Sequence, residues 1–129
     1  VVFTNMDFSA IDDAEWQSRM LRQLEEDVKK GAQGLKIYKN LGMTAKDSKG
    51  NRIRIDDPRI DPIWAKCGEL GIPVLIHSAD PKQFWQPMDA NNERWLELKT
   101  HEGRQRGDND PAPWATIIAE QHNIFKKHK

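Results

Sequence analysis

The sequence predicts an α/β fold, a parallel sheet covered by helices, and two observations carry that prediction. Short apolar runs alternate with segments whose apolar residues recur at helical spacing, in the order strand, helix, strand, long loop, helix, strand, long loop, helix. The clearest run, Ile72-Pro73-Val74-Leu75-Ile76-His77, is almost continuously apolar, as strands buried on both faces of a parallel sheet are.

Val1 to Phe8 is β-branched and aromatic and reads as a buried strand running into a polar loop. Asp12 followed by Glu15 fits a capping box, and Trp16, Met20, Leu21, Leu24 and Val28 form the apolar stripe of a helix ending near Lys30. Lys29 and Lys30 suit the negative end of the helix dipole, and Gly31 supplies the left-handed residue that closes it. Gly34 to Tyr38 reads as a second short strand. The polar stretch from Asn40 to Asp57 is a loop on the strand-to-helix side, with Asp47-Ser48-Lys49-Gly50-Asn51 offering the turn chemistry of a small hairpin or a mobile excursion.

Asp61 before Pro62 predicts a helix start, with Asp61 as N-cap; Ile60, Ile63, Trp64, Cys67 and Leu70 are its buried stripe and Gly71 its end. Pro73 is tolerated near the start of the strand that follows. Beyond Asp80-Pro81 comes an irregular, tryptophan-rich loop with a short helix around Asn92 to Lys99. Gly103 to Pro113 is rich in turn formers, and Trp114, Ile117, Ile118 and Phe125 mark a last helix.

A chain of 129 residues falls in the one-domain range, so residues 1–129 read as a single segment. Apolar residues make up 37% and charged residues 31%, so much of the surface is charged. Twenty Lys and Arg balance twenty Asp and Glu with no basic cluster, which argues against nucleic-acid binding. The lone Cys67 lies in an apolar helical pattern and reads as a small buried hydrophobe. No apolar stretch is long enough to span a bilayer, and the N-terminus carries no signal pattern. The expectation is a soluble protein, cytoplasmic or periplasmic. The chain opens inside a strand and stops where another is expected, so it reads as beginning and ending in mid-fold. Three strands cannot close a barrel; the pattern by itself fits either about half of an eight-stranded one, which needs about 250 residues, or a narrow open sheet.

His77 is the first candidate for chemistry. It ends a strand, at the carboxyl edge where parallel-sheet and barrel enzymes place their sites. Alternation puts it on the face of Leu75, opposite Val74 and Ile76. The structural alternative is a histidine bonded to a loop carbonyl. Lys36 interrupts an apolar strand, where a lysine needs a partner. It is a candidate substrate-orienting cation, or in some barrel hydrolases a carbamylated metal bridge, against the plainer reading that it reaches the strand end to meet a carboxylate. Asn5 and Asp7 end the first strand and Asp80 follows His77, so all three could line the same edge, against a plainer role in capping loops. Lys36 and Asp80 are the weak catalytic candidates. His101, His122 and His128 read as surface residues. Trp16, Trp64 and Trp114 fall at helical spacing and read as core, leaving Phe84, Trp85 and Trp95 as candidates for an aromatic lid over a pocket.

Three stretches, Gly31 to Tyr38, Asp57 to Trp64 and Gly71 to Pro81, together resemble the amidohydrolase-2 family, and the resemblance covers nearly the whole chain. It implies a partial TIM (β/α)8 barrel comprising about strands 3 to 5 with their helices. The family holds one divalent metal, usually zinc, through an HxH pair after the first strand, a histidine after the fifth, another after the sixth and an aspartate after the eighth. His77 corresponds to the fifth-strand metal ligand. Lys36 falls in the fourth strand, where this family is not described as using a carbamylated lysine. No HxH occurs in this chain, and the sixth-strand histidine and the aspartate that acts as base are absent. For the complete protein the resemblance implies water activated by the metal attacking an ester, lactone or amide of a small molecule, or, as in some relatives, decarboxylation. Two readings follow: a segment of a metal-dependent hydrolase, inactive alone and completed by the remainder of the barrel, or a half-barrel that binds or assembles, as a homo-oligomer through its open edges.

Overall fold

A computed structural model describes residues 1–129. Three strands, β1 (Phe3–Thr4), β2 (Gly34–Ile37) and β3 (Val74–Ile76), form one parallel sheet in the order β1-β2-β3. Four helices accompany them: α1 (Trp16–Lys29), α2 (Asp61–Glu69), α3 (Trp95–Thr100) and α4 (Trp114–Lys127). The α/β order and the parallel pairing are those the alternating pattern predicts.

The sheet has one covered face. Leu35 and Ile37 of β2 pair with Val74 and Ile76 of β3 and point into a single core cluster, where they meet Trp16 and Leu24 of α1, Ile63, Trp64 and Cys67 of α2, and Ile117 and Ile124 of α4. The alternate residues point the other way, and there no element covers them: Leu75 is 53% exposed, beside half-buried Lys36. Phe3 pairs with Gly34 on this open face, and its ring lies where a Cβ on residue 34 would be, so a larger residue there would have to push the half-exposed ring aside.

Several local expectations need correction. β1 spans two residues rather than Val1 to Phe8, because beyond Thr4 the chain turns away from its only partner. Asp12 does not cap α1. Residues 9–15 form turns, Asp13 accepts the Glu15 N–H, and the Asp12 carboxylate instead accepts the Ser48 N–H and hydroxyl and the Arg59 guanidinium, holding the 47–51 hairpin against the first loop. Asp61 is the first residue of α2 rather than its N-cap, which is Ile60; its carboxylate pairs with Lys127 and His128. His128 is therefore a docking residue between α4 and α2, not a free surface histidine. Gly31 (φ +107°) and Gly71 (φ +65°) close α1 and α2 as their positions suggest. The Asp47–Asn51 turn is a hairpin, bridged at Lys46 and Arg52.

Candidate functional site

The carboxyl ends of β2 and β3 and the loops after them position the candidate residues. His77 follows β3 directly. Its N–H donates to the Ile37 carbonyl at 3.0 Å, which extends the ladder by one rung and places the exposed imidazole on the open face. Continuing the β2–β3 register sets Tyr38 beside His77, and Lys36 one step further back beside Leu75. Tyr38 was not singled out from the sequence, yet its spacing of two from Lys36 on the same strand puts it on this face.

Lys36 meets no carboxylate. Its ammonium lies 5.5 Å from the centre of the Tyr38 ring, reaching along the strand toward the carboxyl edge. The plain reading of Lys36 as half of a strand-end ion pair therefore gives way to a cation resting on an aromatic ring.

Behind His77 the chain reverses sharply. The Ser78 hydroxyl is buried without a hydrogen-bond partner, and Ala79 holds a left-handed backbone (φ +59°) in the core. This turn buries Asp80 between two cations: Lys39 Nζ lies 2.5 Å from Oδ1, and Arg106 Nη2 lies 2.6 Å from Oδ2. Burial pushes the Asp80 carboxyl up, and the hydrogen bonds and charges of Lys39 and Arg106 outweigh it, leaving it below the usual carboxylate range. Its backbone carbonyl accepts the Trp114 Nε1–H at 3.1 Å. Asp80 thus fastens the end of β2, the 105–106 loop and α4 around the turn that carries His77. No local pattern marks Lys39 and Arg106 for this role, because Asp80 lies 41 and 26 residues away from them.

Asn5 is exposed just beyond β1. Asp7 accepts the Ser9 N–H and hydroxyl, both at 2.9 Å, and its own carbonyl accepts the Trp16 Nε1–H, so the carboxylate forms a turn at the base of the loop. The aromatic residues of the irregular loop are drawn inward. Phe84 is 4% exposed, half-buried Trp85 donates its Nε1–H to the Ala112 carbonyl, and Trp95 stacks under the Lys99 ammonium. As folded here, Phe84 and Trp85 hold the loop in place.

A metal finds little to hold it. No three His, Cys, Asp or Glu side chains converge anywhere in the chain, and His77 is the single candidate ligand on the open face. A catalytic zinc takes roughly three protein ligands, so the residues present do not fit one by themselves.

The family model described as Amidohydrolase matches residues 9–125, nearly the whole chain. The chain belongs to the amidohydrolase family. That family is built on a TIM barrel, and its superfamily generally binds divalent metals and carries out metal-dependent hydrolysis or related chemistry. No curated protein and no solved structure matches the chain. In amidohydrolases, as in other barrels, the site lies at the carboxyl ends of the strands, which here is the edge holding His77, Tyr38 and Lys36. No helix of this amidohydrolase is long and apolar enough to cross a membrane.

Proposed function

We propose that this chain forms strands 3 to 5 of a metal-dependent hydrolase barrel, β1 to β3 here, and contributes one zinc ligand, His77, to a site completed by the remainder of the barrel. The reaction class is hydrolysis of an ester, lactone or amide bond in a small molecule. One observation supports the reading above the rest: an exposed histidine at the carboxyl end of a parallel strand, on a sheet face that nothing covers, in a chain of this family. In a closed barrel that face points to the interior, and the free edges of β1 and β3 are paired. His77 contributes an imidazole carried on a backbone that is fixed by its N–H to the Ile37 carbonyl and by the buried Asp80 turn. The remaining metal ligands and the general base belong to residues outside these strands.

Intact mass of the purified protein under denaturing conditions is the first test, because it reveals any companion polypeptide. Metal content by plasma mass spectrometry and turnover of p-nitrophenyl esters, lactones and anilides follow, for the wild type and His77→Ala. The expected result, in protein that holds the whole barrel, is zinc content and turnover that both collapse in His77→Ala. Stoichiometric zinc on the 14.9 kDa chain alone overturns the reading, as does undiminished zinc or turnover in His77→Ala.

A further inference from the structure

We propose that the cavity between the hairpin closed by Lys46 and Arg52 and the turn closed by Gly107 and Asp110 binds the phosphate group of a small molecule, read by Arg52, Arg106 and Lys46. The cavity has a volume of about 590 Å³ and lies between the loop after β2 and the loop that leads into α4, so both of its walls belong to this chain. Met43, a member of the core cluster, lies in its lining, and Arg52 ties one wall to Glu120 of α4. The site therefore stands on the helix side of the sheet, apart from the open face that carries His77.

The two arginines arrive at the cavity already ordered. Glu120, 4% exposed, takes Nη1 and Nη2 of Arg52, and the Gly42 carbonyl takes Nη1 as well, which leaves Nε without a partner. Asp80, 5% exposed, takes Nε and Nη2 of Arg106 and leaves Nη1 unspent. A guanidinium fixed from behind in this way loses little freedom when its remaining N–H groups take phosphate oxygens. Gln105 and Thr44 add an amide and a hydroxyl to the lining, which is almost wholly polar and does not suit an apolar ligand. The charge has the matching sign. Lys46 has no ion-pair partner, and Lys39 shares Asp80 with Arg106. Lys39, Lys46, Arg52 and Arg106 thus face Asp80, Glu120 and Asp110, one positive charge in excess. The donors come from both walls. A phosphate turns its oxygens in several directions to meet them, whereas a carboxylate holds two in one plane.

The test follows the backbone amide resonances of the purified chain during titration with inorganic phosphate, at an ionic strength held constant with chloride, and separately with acetate. Phosphate is expected to shift the amides of Lys46, Gly50, Gln105 and Arg106 saturably, and acetate to leave them in place. The exposed Lys46 and Asp110 side chains bond to no other residue, so replacing them leaves the fold alone. Lys46→Gln is expected to weaken phosphate binding about three- to fivefold, and Asp110→Asn, which removes the one acid of the lining, to strengthen it by a similar factor. Glycerol phosphate is expected to displace inorganic phosphate from the same amides. The proposal is overturned if those amides do not shift saturably, if acetate moves them as far as phosphate does, or if both variants bind phosphate as the wild type does. Amides that ignore glycerol phosphate and shift only with phosphatidylglycerol vesicles overturn the small-molecule assignment. The readout is binding without metal or turnover, so loss of the hydrolase reading leaves this result untouched.

Discussion

Arg52, after the 47–51 hairpin, and Glu120, in the middle of α4, meet in a two-pronged buried ion pair across 68 residues of sequence, with Nη2 2.6 Å from Oε1 and Nη1 3.0 Å from Oε2. Glu120 also accepts the Ile55 N–H, and Arg52 donates to the Gly42 carbonyl. The pair ties the long loop after β2 to the last helix, which is how a loop of this length is kept on the core.

Breaking this pair on one side leaves a buried charge without its partner. Glu120→Ala is expected to destabilise the fold by about 3–5 kcal/mol in urea unfolding, whereas the double variant Arg52→Met/Glu120→Leu costs far less, because it removes both charges and keeps the volume. A single-variant cost below about 1 kcal/mol would show the pair to be solvated rather than buried.

Acid is expected to weaken the fold through Asp80, with Asp57 acting in the same sense. In both, burial raises the carboxyl and the hydrogen bonds and charges of arginine or lysine outweigh it, so each titrates below its unfolded value of 3.8. A group with a depressed folded pKa adds stability above that unfolded value and loses it as pH falls through the folded one. Urea midpoints measured from neutral pH downward should stay level until the pH approaches 3.8 and then drop. Asp80→Asn should make the drop shallower, and an unchanged acid limb in that variant contradicts the assignment.

Cys67 is 2% exposed, and burial pushes its thiol up to about 11. Neither access nor thiolate is present at neutral pH. A disulfide reagent such as Ellman's should leave native protein unlabelled at pH 8 and react fully once urea unfolds it. Rapid labelling of native protein would mean that α2 opens locally.

Gly42 and Gly50 share a left-handed backbone, at φ +85° and +81°, but not the same surroundings. A Cβ at residue 42 would lie 2.6 Å from Cγ1 of fully buried Ile55, while at residue 50 it meets nothing. Gly50→Ala should cost about 1–2 kcal/mol from backbone strain alone. Gly42→Ala should add roughly 1–3 kcal/mol of overpacking, and equal thermal shifts for the two would count against this packing.

Local signals were legible wherever local forces decide. The Ile72–Ile76 run located β3, and strand alternation set His77 on the face of Leu75, where it lies. Gly31 and Gly71 marked helix ends because a left-handed residue is needed there. The failures are tertiary. Asp12 has the spacing of a capping box, but Ser48 and Arg59 compete for its carboxylate from distant loops. The Asp80 clamp was hidden because a charge pattern does not say which lysine and which arginine fold back to one aspartate. Phe84 looked like a lid residue from its loop context, and its inward turn follows from packing that no local spacing encodes.

Of the three strands, β2 alone has a neighbour on each side. Amide exchange on this scaffold should therefore run from the outside in, slowest along Leu35 to Ile37 and fastest at Phe3 and Thr4, whose two-residue pairing frays readily. The two flanks of the open face then move on different clocks. Asn5 follows the short β1 pairing, whereas the His77 backbone is anchored to the Ile37 carbonyl. A ligand on this surface would be positioned by its β2–β3 side and accommodated by its β1 side.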